Sequence, residues 1–298
     1  MYVVAGATGS TGSLVANALL ERGQPVRVLV RNEAAGASWR ERGAEVARVD
    51  FDEGSAALTE ALRGCEGAWL LVPTPPSEST GVLARCARWV DVMGEALTAS
   101  RLPHAVVLSS MGAHQAEGTG IVQTLNVAER KLGALGTPIT FVRAAFFMEN
   151  WFGYGRMAME QGVVPSCLSP AERKLPMVAV RDVAAACARL LLEPTPGRRV
   201  LELSGPADYS LEDVAEAMGR AVQRQVRPLV SPLDTQVERL ISFGSSREMA
   251  ELFNDHTRAM NSGQALMEGG GVPRERGPTS LEEAFEPLAR RARQARGG

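Results

Sequence analysis

Apolar positions in the first half of the chain come in short runs separated by segments with helical spacing. Residues 1–5 (MYVVA) form one such run, and within 13–22 Leu14, Val15, Leu19 and Leu20 recur near helical spacing until Gly23 ends the turn. The alternation then repeats, predicting strands at 26–30, 44–49, 67–72, 104–109 and 138–143, with helices around 35–42, at 55–63, near 80–99 and near 121–134. Strands separated by helices pair in parallel through right-handed crossovers, so the expected class is α/β, a doubly wound parallel sheet of Rossmann type. Beyond residue 150 the rhythm changes. Short strands near 174–178 and 199–203 flank a helix at 181–193, and helices follow near 210–223, 233–243, 246–260 and 280–294. The pattern predicts one domain over 1–150, to which the strands at 174–178 and 199–203 return, and a smaller helix-rich C-terminal substrate lobe over 151–298. The Gly/Pro/Arg-rich segment 263–278 reads as a mobile loop.

Composition narrows the classes of function. With 298 residues, 45% hydrophobic, 22% charged and a formal net charge of −2, the chain has the balance of an ordinary globule and no nucleic-acid or membrane surface is expected. All but two of its 32 basic residues are arginines, the lysines being Lys131 and Lys174. Cys65, Cys86, Cys167 and Cys187 are scattered without CxxC or other metal-ligand spacing, so they read as reduced and structural, with no metal site. Met1 leads directly into an apolar strand without a basic leader, and no apolar run approaches the roughly 20 residues that span a bilayer. The expected location is the cytoplasm. Oligomeric state stays open, a homodimer being among the states the sequence allows.

The strongest chemical signal is Gly6-Ala7-Thr8-Gly9-Ser10-Thr11-Gly12 between the first strand and the first helix. Small residues there let the backbone turn tightly and approach a pyrophosphate, whose charge meets free amide donors at the helix N-terminus. The spacing is Gly-x-x-Gly-x-x-Gly, one residue longer in its first gap than the usual dehydrogenase fingerprint. At the end of the second strand, where an acid would select NAD, stands Val30-Arg31-Asn32. A cation there suits the 2′-phosphate of NADP(H), with Asn32 and Arg40 as helpers and NAD(H) as the second choice; the competing reading is a solvated arginine at a strand end.

These residues, together with Val28 to Arg31, Val106 to Ser110, the stretch Phe141 to Asn150 and Val180-Arg181-Asp182-Val183-Ala184, resemble an atypical short-chain dehydrogenase/reductase of the NmrA-like group over at least residues 1–190. That group includes NAD(P)H-dependent quinone oxidoreductases, azoreductase-type enzymes and NADP-sensing regulators. The resemblance implies that Gly6, Thr8, Gly9, Ser10, Thr11 and Gly12 cradle phosphates and that Arg31 meets the adenosine ribose or its phosphate. It also implies that Val72, Pro73 and Thr74 line the ribose, that Ser109 and Ser110 lie near the nicotinamide, and that Phe146 to Asn150 wall the substrate side. For Phe146 and Phe147 plain core packing is the alternative. Where relatives commonly carry Arg-Pro-Gly, this chain has Arg143-Ala144-Ala145.

A negative observation shapes the chemistry. Short-chain dehydrogenases acting on alcohols use a Tyr with a Lys four residues later, and none of Tyr2, Tyr154 and Tyr209 has that lysine. Sugar-nucleotide epimerase and alcohol dehydrogenase chemistry are therefore not expected. Hydride transfer to a quinone, flavin, azo compound or enone needs no such acid, because the acceptor becomes a delocalised anion and positioning carries the catalysis. Candidate catalytic residues are Ser110, His114, Asn126 and Tyr154, with Gln115, Gln123 and Asn150 as further polar helpers. An NADPH-dependent reductase of a small, flat or aromatic substrate is the leading expectation. A non-enzymatic NADP(H) sensor that binds a partner protein is the alternative. A phenylpropanoid-type reductase or isomerase is a weaker third reading, since it too expects the helix lysine.

Overall fold

A strand buried on both faces needs apolar side chains pointing both ways, and the first strands supply them. In the computed structural model, which describes residues 1–297, β1 (Tyr2–Val4), β2 (Val26–Val30), β3 (Glu45–Arg48), β4 (Gly67–Leu70), β5 (Ala105–Ser110) and β6 (Ile139–Ala144) lie parallel in the order 3-2-1-4-5-6. Val3, Leu70, Val107 and Phe141 enter the core on one face, and Val4, Trp69, Val106 and Val142 enter the core on the other. The connecting helices are α1 (Ser10–Leu20), α2 (Ala37–Glu41), α3 (Ala56–Leu62), α4 (Val82–Ser100) and α5 (Gln123–Leu132). Leu58, Leu62, Met93, Leu97 and Leu132 bring α3, α4 and α5 onto the first face. Val15 and Leu19 of α1 and Val183, Leu190 and Leu191 of the helix Val180–Leu192 cover the second.

Two expectations about the later chain are corrected. The strand Arg198–Ser204 does join the large sheet, parallel to β6, but Leu175–Val178 does not. Leu175–Val178 is the middle of a separate three-stranded sheet, between Phe146–Phe147 and Asp208–Tyr209. The edge beside β6 is taken, and Leu175 and Met177 find their apolar partners in a third core with Met148, Trp151, Leu168, Met218 and Phe285. The segment 263–278, expected as a mobile loop, is pinned to the sheet. Arg274–Arg276 pairs in parallel with Arg198–Ser204 as an eighth strand. Fully buried Glu202 holds it, accepting from the Arg274 guanidinium at 3.0 Å and from the Glu268 amide at 2.5 Å. No helix among the described residues is long and apolar enough to cross a membrane.

The C-terminal lobe reaches back to the sheet through the helix Arg247–Ser262, which packs against the turn Gly120–Val122 ahead of α5. Gly120 has φ +58°, and a Cβ built there would lie 1.9 Å from the Leu252 carbonyl oxygen. Left-handed backbone and backbone-to-backbone contact both require glycine, since strain and overpacking each cost about 1–3 kcal/mol. Gly120→Ala is therefore expected to lower stability by roughly 2–5 kcal/mol in denaturant unfolding. An unchanged midpoint would mean that the helix does not dock on this turn.

Candidate functional site

Because the strands of the large sheet are parallel, the segments that leave their C-terminal ends meet along one edge. There Gly6 to Gly12 after β1, Arg31 after β2, Asp50 to Asp52 after β3, Val72 to Thr74 after β4, Ser109 and Ser110 at the end of β5, and Ala144 to Phe147 at the end of β6 line a single cleft of about 1000 Å³. The C-terminal lobe supplies its other wall, from Asn150, Trp151 and Tyr154, Ser166 to Leu168, Gln236 and Arg239, and Phe253, His256, Thr257 and Met260.

The glycine-rich end has the build of an anion cradle. A Cβ on Gly12 would stand 2.3 Å from the Gly6 carbonyl oxygen and 2.6 Å from that of Ala5, so only glycine lets α1 start this close to the end of β1. The helix has Gly9 at its N-cap with no side-chain cap and no acid in its first turn. Its first amides are thus free to meet a phosphate, with the positive end of the helix dipole behind them. Arg31 is exposed at the rim and has no ion-pair partner among the described residues. Arg85, by contrast, is committed to Asp52, which also accepts from Trp89 Nε1 at 2.8 Å. The Arg85 hydrogen bond holds the Asp52 carboxyl below its ordinary range; burial opposes it, and the Trp89 hydrogen bond and the nearby arginine charges add to the lowering.

At the centre, Ser109 is backed by a buried ion pair. Its hydroxyl donates to Glu129 Oε1 at 2.6 Å, and Arg143 donates to the same carboxylate through Nε at 2.8 Å and Nη2 at 2.7 Å. Arg143 also reaches Glu268 with Nη1. Burial alone would lower the Arg143 pKa, but hydrogen bonds and charge from Glu129 and then Glu268 outweigh it and raise it above the usual arginine range. With its proton committed to Glu129, Ser109 presents only an accepting oxygen to the cleft.

The C-terminal wall is aromatic with polar atoms set into it. Ring centroids of Phe146 and Trp151 lie 5.6 Å apart and those of Trp151 and Tyr154 6.1 Å apart, a surface suited to a flat molecule. Trp151 Nε1, Gln236 Oε1 and His256 Nδ1 are buried without a hydrogen-bond partner among the described residues. Burial pushes His256 down to about 4, with hydrogen bonding to the Thr119 backbone opposing it.

Of the residues singled out from the sequence, Gly6, Thr8, Gly9, Ser10, Thr11, Gly12, Arg31, Val72, Pro73, Thr74, Ser109, Ser110, Phe146, Phe147, Asn150 and Tyr154 come together around the cleft. Others do not. Asn32 caps the short turn Glu33–Gly36, its Oδ1 accepting from the Ala34 amide at 2.9 Å. Asn126 lies on α5 but spends its amide on the Ala113 carbonyl at 2.8 Å, and His114 stands in the loop beyond β5, off the lining. Gln115, Gln123 and Arg40 also lie off the lining. The cleft faces of the turn Gly120–Val122 and α5 carry Ile121, Val122, Thr124 and Leu125, while Lys131 pairs outside with Asp91. Sequence reasoning missed Gln236, Arg239, Phe253, His256 and Thr257, because two helices with ordinary amphipathic patterns carry no motif that marks a face as a wall.

Comparison with known proteins agrees with this architecture. The model of the NmrA-like family matches residues 2–283. An NAD(P)H azoreductase of Xenophilus azovorans is 27% identical over 258 residues, 86% of this chain and 85% of that protein. The fold superposes on that of an NADPH-dependent quinone oxidoreductase of Escherichia coli solved with NADPH, with TM-score 0.79 at 24% identity over 97% of this chain and 99% of that one. It also superposes on NmrA, a negative transcriptional regulator solved with NAD, with TM-score 0.72 at 17% identity over 100% and 98% of the two chains. These two likenesses are of fold.

The acid-sensitive element of the site is His256. Unfolded, its imidazole takes up a proton near the ordinary pH of about 6.5, whereas in the fold it stays neutral down to about 4. Between these values the unfolded chain binds more protons, so stability falls as pH drops through the window, by up to about 3 kcal/mol from this group. Urea unfolding of His256→Gln should show a flatter slope between those pH values than the parent protein. Parallel pH profiles for the two would remove the buried neutral histidine from the account.

Proposed function

The chain belongs to the NmrA-like family, and we propose that it is a reductase that uses NADPH to deliver hydride to a small flat electrophile such as a quinone or an azo compound. The observation that carries this reading is the continuity of one cleft from a glycine-lined anion cradle to an aromatic wall. The similarity to an azoreductase and the shared fold of a quinone oxidoreductase support the same class of acceptor.

In this reading residues 1–150, completed by the helix Val180–Leu192 and the strands Arg198–Ser204 and Arg274–Arg276, hold the cofactor, and the rest of the C-terminal half covers it and the substrate. The amides at the start of α1, with Thr8, Ser10 and Thr11, bind the pyrophosphate, and Arg31 binds the 2′-phosphate. Val72, Pro73 and Thr74 flank the ribose. Ser109, fixed as an acceptor by Glu129, receives the carboxamide N–H. Bound there, the cofactor supplies the hydride. Phe146, Phe147, Trp151 and Tyr154 stack the acceptor flat in the cleft, and Ser110 and Tyr154 offer hydrogen bonds to the oxygen or nitrogen on which negative charge collects. The acceptor gains hydride as a delocalised anion, and a proton from water or the Tyr154 hydroxyl completes the reduction. No Tyr–Lys acid is required, in keeping with the Ile121, Val122, Thr124 and Leu125 lining contributed by α5 and the turn before it.

The test is turnover of NADPH against a panel of quinones, azo dyes and enones, with Arg31→Ala as the cofactor control. Steady oxidation by flat acceptors is expected, and tight NADPH binding without oxidation by any of them would point to a sensor instead. Loss of a charge-assisted contact of about 1.5–3 kcal/mol should weaken NADPH about 10- to 100-fold in Arg31→Ala while NADH binding changes far less. Equal losses for both cofactors would remove Arg31 from the 2′-phosphate.

A further inference from the structure

Three arginines line the cleft, and their charges are met differently. Arg85 is paired with Asp52, and Arg31 stands at the end of β2 where the proposed cofactor phosphate lies. Arg239 is on the C-terminal lobe, in the helix Gln236–Ser242. Its guanidinium has no carboxylate partner among the described residues. Nη2 donates to the Cys167 thiol at 3.2 Å, a weak acceptor for a charged donor. The carboxylate next to it in sequence, Glu238, is turned to Arg247 at 3.1 Å.

The side chains around it share this unmet capacity. Gln236, one turn earlier on the same helix, donates Nε2 to Thr257 Oγ1 at 3.1 Å and leaves Oε1 buried without a donor. Turning the amide over leaves one end free as well, because the Thr257 hydroxyl proton goes to the Phe253 carbonyl at 3.1 Å. Trp151 Nε1 and His256 Nδ1 are the other orphaned atoms on this wall. The three buried polar atoms without partners cost stability in the chain alone, and together with an arginine that no carboxylate meets and a stack of aromatic rings they favour a ligand that satisfies them.

We infer that Arg239 is the anchor for a carboxylate carried on the flat aromatic acceptor, while the lone pairs of Gln236 Oε1 and His256 Nδ1 are left for donors elsewhere on that ligand. This rests on the reading of the cleft as a substrate site and adds a charge requirement to it. A planar guanidinium presents two parallel donors to a carboxylate, a geometry that a carboxamide of the same shape does not return. Arg239 therefore selects among acceptors of equal reducibility by the anion they carry.

The test is equilibrium binding of anthraquinone-2-carboxylate and anthraquinone-2-carboxamide to the full chain loaded with NADP⁺, followed by calorimetry or tryptophan fluorescence. Wild-type protein is expected to bind the carboxylate about 30-fold tighter than the carboxamide, the scale of a charge-assisted contact. Arg239→Met should bring that ratio to within about 3-fold, and Arg239→Lys should keep part of it. An indifferent wild-type protein, or Arg239→Met with the ratio intact, overturns the assignment. The readout needs no turnover. Charge discrimination without any NADPH oxidation would sink the reductase and keep the anion site, and turnover of uncharged acceptors without discrimination would do the reverse.

Discussion

Eight strands that all run one way must all end on one edge, and everything functional in this molecule follows from that constraint. A parallel sheet cannot be closed by hairpins, so each strand is left through a segment that turns over the same edge before its helix runs back. Those segments carry the glycine cradle, Arg31, the Val72 to Thr74 turn and the Ser109–Ser110 pair to one line, although they are far apart in sequence. The helices that return along both faces then bury a sheet apolar on both sides. The C-terminal lobe has one place to dock, over the open edge.

The buried pair of Arg143 and Glu129 ties these layers together. Arg143 comes from β6, Glu129 from α5, Ser109 from β5, and Glu268 from the segment leading to the last strand. Removing either partner of such a pair strands a buried charge and costs about 3–5 kcal/mol, whereas the pair itself contributes little net stability. Its role is better described as alignment. It sets the Ser109 hydroxyl in one direction and holds the 263–278 segment against the sheet.

The parts of this arrangement that were legible in the sequence are those written locally. Alternating apolar runs and helical periods locate β1 to β6, and the glycines between β1 and α1 announce a tight turn because that turn is made by neighbouring residues. Arg31 could be read from its place at a strand end. The wall across the cleft could not. Arg239, His256 and Phe253 lie on helices whose patterns say only that one face is buried, and which face meets the sheet edge is decided by tertiary contacts such as that between Gly120 and Leu252. The same limit explains Asn126, His114 and Asn32. Each is a polar residue near a strand end or on the expected helix, but the backbone groups of Ala113 and Ala34 claim the two asparagine side chains, and His114 lies in the loop beyond the lining. The segment 263–278 misled for a related reason. Its glycines and prolines signal loop, while buried Glu202, far away in sequence, supplies the charge that docks its arginine.

In the proposed reaction one cleft holds a reduced nicotinamide and a flat acceptor face to face, so that hydride passes directly between them. Rapid mixing of the NADPH-loaded protein with a quinone in a single turnover tests this most directly, with the reduced-nicotinamide absorbance as the signal and NADPH deuterated at the transferred position as the comparison. Direct transfer should give one exponential loss of absorbance, stoichiometric with the protein and slower with deuterium. Absorbance that stays constant while NADPH remains bound would contradict it.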